Sequence, residues 1–404
     1  MLRDNILRTY FLESIQSVRQ EGPADFFQRH IKIFRNFDWP EIAGQWLRIF
    51  LPLYTENSFF RGSLESLPGV REQVKLQYVR NAAKNQEYIQ AIIKLAQLFR
   101  ASGREIVFLK GSACLATIYA NDPGIRFMAD IDVLIRKADL KTAINILEKE
   151  GFRQDYERFD KEMGVKHKED FFAQQHFHFI FYKGDLKLEL HWNISFSPPE
   201  AVLEKIFDTL VTVRMGDTEI HIPGPEAELY MVCDNFQRDY GHIDLSDCFS
   251  KKRIGRRTCA TLFFLFEFKK ILAYYQDSIS WDNFFFFCKE CGTLFSIESL
   301  LFYSCSFTLN KLPAAALQNR DFGISLRIYR GFLRYTHKNN FMRAFMLRNI
   351  FLCLSNGGLF GKSPKNYLTA LVRAVAYYLS FENRIILIVF QGGWRPIRFF
   401  KGGV

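Results

Sequence analysis

FLKGSACLATIYANDPGIRFMADIDVLI, residues 108–135, is the stretch on which the reading of this chain turns. It closes on two acids, Asp130 and Asp132, separated by one residue and set among apolar neighbours. On a strand, residues i and i+2 point to the same side. Asp130 to Ile135 reads as such a strand, with Ile131, Val133 and Ile135 on one face and Asp130 and Asp132 on the other. Two carboxylates that close repel each other unless a proton or a cation lies between them. A hard divalent cation such as Mg²⁺, shared between carboxylates and substrate phosphates, meets that need.

The other end of the stretch carries a complementary feature. A β-rich run, Ile106 to Leu109, passes into Lys110-Gly111-Ser112, and Ser112 to Ala120 reads as a helix. Backbone N–H groups at the start of a helix bind phosphate, and a glycine lets the phosphate come close. The Ser112 hydroxyl adds a donor. A phosphate cradle followed by paired acids is the equipment of metal-assisted phosphoryl or nucleotidyl transfer.

Working outward, Asn121-Asp122-Pro123-Gly124 is a turn, and Asp139 to Glu150 a helix with Asp139 as N-cap and Gly151 as its stop. Two more strands, Phe177 to Tyr182 and Leu186 to Asn193, flank Lys183-Gly184-Asp185 and predict a hairpin. In the second of them Leu186, Leu188, Leu190 and Trp192 take the core face, and Lys187, Glu189, His191 and Asn193 the polar one. Glu189 supplies a third acid if its strand pairs beside Asp132. His178 and His191 are candidate contacts to an acceptor or a phosphate, or simply structural partners of a carboxylate.

Upstream, Arg71 to Ala101 has apolar residues near helical spacing and is stopped by Ser102-Gly103. Downstream of Pro223-Gly224-Pro225 the chain is mostly helical. The expected fold is α+β: a small mixed-sheet core flanked by N-terminal helices and a mostly helical C-terminal domain. The boundaries read as 1–104, 105–222 and 226–404.

Composition narrows the partners. With 404 residues, 48% hydrophobic and 24% charged, the chain is an ordinary globular protein too long for one core. No apolar run reaches the roughly 20 residues of a membrane span, and the first residues carry acids rather than a secretory apolar core, so a cytoplasmic protein with reduced thiols is expected. Cys288 and Cys291 form an isolated CxxC without a second ligand pair. From Lys311 to Val404 fifteen Lys and Arg stand against two acids. Such a region suits an anionic partner, and RNA ends such as tRNA fit through phosphate contacts. It argues against a cationic acceptor such as an aminoglycoside. A basic, aromatic C-terminal segment on a membrane surface is the competing use of the same charge.

FLKGSACLATIY, PGIRFMADIDVLIRKADLKTAINILEKEGF and ELHW at 189–192 together resemble nucleotidyltransferases of the polymerase-beta-like superfamily, in particular the bacterial family described only as uncharacterised nucleotidyltransferase. The likeness covers about residues 105–195. It implies an NTP substrate such as ATP and Mg²⁺ or Mn²⁺ as cofactor. Gly111 and Ser112 match the element that holds the triphosphate, Asp130 and Asp132 the metal-ligand pair, and Glu189 the third acid; Lys110 and Arg126 match basic positions near the nucleotide. The expected reaction moves an NMP to a hydroxyl of RNA or of a protein. An anionic small molecule or peptide is a further acceptor, and a nucleotide- or RNA-binding protein that keeps the fold without catalysis is the alternative.

Overall fold

Strand alternation and one long helix organise the chain. The computed structural model describes residues 47–56, 61, 62, 65, 70–155, 178–194, 200–240, 256–276, 278–291, 297, 300 and 301. In order these form α1 (Leu47–Glu56), α2 (Val70–Ala101), β1 (Val107–Leu109), α3 (Lys110–Ala116), β2 (Ile131–Leu134), α4 (Leu140–Lys149), β3 (Arg153–Gln154), β4 (His178–Lys183) and β5 (Leu186–His191). Then come α5 (Glu200–Asp208), β6 (Val211–Met215), β7 (Thr218–Ile222), α6 (Pro225–Tyr240), α7 (Arg256–Tyr275) and α8 (Trp281–Glu290). The basic region from Lys311 onward lies outside the described residues.

The strands make one mixed sheet in the order β3-β4-β5-β2-β1-β7-β6. β2 is central, antiparallel to β1 and parallel to β5. The hairpin at Lys183 closes through Gly184 and Asp185, with Lys183 opposite Leu186 and Gly184 in the left-handed region. A second hairpin, β6–β7, turns at Gly216 in the same way and lays β7 parallel to β1. This hairpin and α5 go beyond the strands and helices read from sequence. The alternation in VTVRM-GD-TEIHI carries its signal.

Each face of the sheet has its own core. Phe108, Ile131, Val133, Leu188, Leu190 and Trp192 pack with Tyr88, Ile92, Leu95 and Phe99 of α2 and Leu147 of α4. Val107, Leu109 and Leu134 pack on the other side with residues of α6, α7 and α8, where Phe264, Phe268, Phe284 and Phe287 are concentrated. Full burial of one such side chain contributes about 1.5–3 kcal/mol. The α+β expectation therefore holds, with α2 in the same core as the sheet.

Two local expectations change. Asp139 does not cap α4 with its side chain; its Oδ1 accepts from Arg104 Nη1 at 2.7 Å instead. The turn into α3 is made by Lys110, at φ 48°, and not by Gly111, which already lies inside the helix. Among the described residues Lys110 is the one non-glycine with positive φ, a conformation that costs about 1–2 kcal/mol.

Candidate active site

Register assembles the acids. Asp132 on β2 lies directly beside Glu189 on the parallel β5, and Leu109, the residue before Lys110, lies opposite Asp132 on the antiparallel β1. Residues abreast in a ladder share a face. Asp132 and Glu189 thus meet from neighbouring strands, Lys110 reaches them from the start of α3 just after β1, and Asp130 joins them from the entry to β2.

The carboxylates are held by cations of the protein itself. Lys110 Nζ donates to Asp132 Oδ1 at 2.7 Å. Lys187 Nζ bridges Asp130 Oδ2 at 3.0 Å and Glu189 Oε1 at 2.5 Å. His191 Nε2 lies 2.9 Å from Asp132 Oδ1 and 3.5 Å from Glu189 Oε2. His178, directly across the β4–β5 ladder from His191, places its Nε2 3.9 Å from the same Glu189 oxygen. Lys187 was read from sequence only as a member of the polar face. Its strand alternation could have flagged it, because it stands two residues before Glu189 on the same face of β5, and the β2–β5 register brings it alongside Asp130.

The environment separates the three acids. Burial, then the charges of Asp132 and Glu189, push the Asp130 carboxyl up. Burial also works upward on Asp132, but the Lys110 ammonium and His191 outweigh it and hold it down. Glu189 is likewise pressed upward by burial, yet His191, His178 and Lys110 hold it well below the usual carboxylate range. Burial, with the neighbouring His191, pushes His178 down to about 3, so its imidazole is neutral.

The glycine–serine element and Arg126 are arranged differently. A Cβ on Gly111 would sit 2.5 Å from Met128 Sδ and 2.7 Å from Arg126 Nη1, so the glycine is needed where the Arg126 side chain crosses α3. Arg126 is 8% exposed, and its guanidinium meets Glu267 of α7, with Nε donating to Oε1 at 2.8 Å. Ser112 is fully enclosed and its Oγ has no hydrogen-bond partner among the described residues. The loop from α3 to β2 is clamped from α2: Asn81 and Asn85, one turn apart, both donate to the Arg126 carbonyl, at 2.9 and 2.6 Å. Asn81 also reaches the Gly124 carbonyl at 2.7 Å. Two asparagines on the buried stripe of a helix break its apolar pattern, a weak signal that names the positions but not what they grip.

Behind α3 a second polar cluster is sealed from solvent. Glu228 of α6 accepts from Tyr275 at 2.7 Å and from the Cys114 thiol at 3.4 Å. Burial pushes Glu228 up to about 7 against those two hydrogen bonds. Among the described residues, Cys114, Cys233, Cys288 and Cys291 form no disulfide.

Among the described residues no helix is long and apolar enough to cross a membrane. A family described as uncharacterised nucleotidyltransferase matches residues 45–307. A search of curated proteins finds no match to the sequence. Among solved structures, one of ANT(2″)-Ia in complex with adenylyl-2″-tobramycin overlaps with 12% identity, covering 45% of this chain and 98% of that one, at a TM-score of 0.28.

Proposed function

From the premise that the chain belongs to the uncharacterised nucleotidyltransferase family and is an enzyme of that class, we propose that it moves an NMP from an NTP to an acceptor hydroxyl at the acid cluster of β2 and β5. The observation that carries this is the register of Asp132 beside Glu189, with Asp130 tied to Glu189 through one lysine. In the reaction the acceptor oxygen bonds to the α-phosphorus, the bond to the bridging oxygen breaks, and pyrophosphate leaves with that electron pair. The acceptor proton passes to a base.

Three carboxylates that need two lysines between them fit a divalent ion. Asp130, Asp132 and Glu189 would hold Mg²⁺ or Mn²⁺. Such an ion, when bound, neutralises phosphate charge and lowers the pKa of an acceptor hydroxyl. Glu189, held ionised, serves better as a ligand than as a base. Lys110 and Lys187 carry ammonium donors suited to the charge that grows on pyrophosphate. Ser112 contributes a hydroxyl that has no partner among the described residues. Arg126 acts through position: its guanidinium is committed to Glu267 and shapes the passage of α3 at Gly111.

The acceptor we favour is anionic, RNA or tRNA, drawn by the basic region beyond Lys311. A cytoplasmic reaction, where NTP is abundant, is part of this reading. Incubation with each labelled NTP, metal and cell extract, resolved into RNA, protein and small-molecule fractions, tests both halves. Label in RNA that disappears in Asp130→Ala/Asp132→Ala is expected. Label that persists in the double variant refutes the site.

A further inference from the structure

Beside the acid cluster, the donor atoms of His178, Glu189 and His191 all lie within 4.8 Å of one another. We propose that these three form a cation subsite of their own, which takes a first-row transition ion of zinc-like preference through two imidazole nitrogens and one carboxylate oxygen. The inference rests on the nucleotidyl-transfer reading through Glu189 alone, which the subsite shares with the acid cluster.

The backbone makes the arrangement. His178 and His191 are direct partners across the antiparallel β4–β5 ladder, and Glu189 is two residues along the same face of β5. The two rings are 4.8 Å apart and tilted by 40°, so they are not stacked face to face. Both Nε2 atoms converge on one oxygen, Glu189 Oε2, at 3.9 Å for His178 and 3.5 Å for His191. Ligands about 2.1 Å from a tetrahedral ion are separated by about 3.4 Å. Binding an ion would draw the donors, now within 4.8 Å of one another, toward that spacing. The chemistry of the donors then selects the ion. Imidazole suits zinc and its neighbours, whereas Mg²⁺ takes oxygen ligands in octahedral geometry. Asp132, 2.9 Å from His191 Nε2, competes for that nitrogen, so an ion here exchanges a hydrogen bond for a coordinate bond.

The test uses the full chain, stripped of metal and given one equivalent of Zn²⁺. Affinity is read by calorimetry and the ligands by X-ray absorption, in which imidazole rings leave a distinct outer-shell scattering pattern. The expected spectrum has two imidazoles and no sulfur, and a large excess of Mg²⁺ leaves it unchanged. His178→Ala and His191→Ala each weaken binding at least about tenfold, while Asp130→Asn keeps the imidazole pattern. Sulfur ligands, an oxygen-only shell, no binding at all, or wild-type affinity in both histidine variants overturns the subsite. Failure of nucleotidyl transfer is read separately, as loss of label transfer from NTP in a protein that still shows the imidazole pattern.

Discussion

Two clusters of charge reach α3, one through Lys110 and the other through Cys114, and they are closed in opposite ways. In the first, Asp130, Asp132 and Glu189 outnumber Lys110 and Lys187, and the cations are long lysine stems that can leave. In the second, behind α3, Arg126 is matched to Glu267, and Glu228 is satisfied by Tyr275 and Cys114. A carboxylate cluster short of positive charge is poised to take a ligand. A cluster in which each charge has its partner holds the framework in place. The contrast separates variants that should lose chemistry from variants that should lose stability.

The largest effect belongs to the first cluster. Asp130→Ala/Asp132→Ala is expected to lower label transfer about a thousand-fold or more. Asp130→Asn alone should not lower the melting temperature, because the folded chain already pushes that carboxyl toward its neutral form. A large loss of stability in Asp130→Asn would erase the distinction between the clusters. Next comes Glu267→Ala, which strands a buried guanidinium and is expected to cost about 3–5 kcal/mol, read by denaturant unfolding.

Glu228 sharpens the comparison through pH. Its carboxyl, raised to about 7 chiefly by burial, keeps a proton in the folded chain that the unfolded chain releases. That contribution is complete below the ordinary glutamate range and is lost as pH rises through about 7. The loss is on the order of 3 kcal/mol. Melting followed from acid to neutral pH should show this decline in wild type and a flatter profile in Glu228→Gln. The smallest effect is Gly111→Ala, which sets a methyl against Met128 Sδ and Arg126 Nη1 and is expected to cost about 1–3 kcal/mol. In a Glu267→Ala background, where Arg126 is no longer held, the same change should cost less. Strict additivity would show that Arg126 does not press on Gly111.

Much of the first cluster was legible before any fold. Alternation put Asp130 and Asp132 on one face and Glu189 with His191 on another, and each pattern reports only the local pleat of its own strand. The second cluster was not legible. Glu228 and Glu267 sit in helices whose sequences mark them as ordinary polar positions, and Arg126 meets Glu267 across 141 residues of chain. Asn81 and Asn85 were likewise hidden, since a helical stripe names its buried positions but not what those positions grip.

The sequence by itself determined which residues share a strand face, where the hairpin at Gly184 turns, and that the chain is a nucleotidyltransferase of a recognisable family, because these follow from local backbone geometry and a contiguous motif. Only the tertiary structure decided that β2 and β5 run side by side with Asp132 abreast of Glu189, that Lys110 and not Gly111 makes the turn, and that the Arg126 guanidinium meets Glu267. The physical reason is one of range. A side chain's direction is set by its neighbours along the chain, but its partner is set by packing between segments far apart in sequence, where burial forces each charge to find an opposite one.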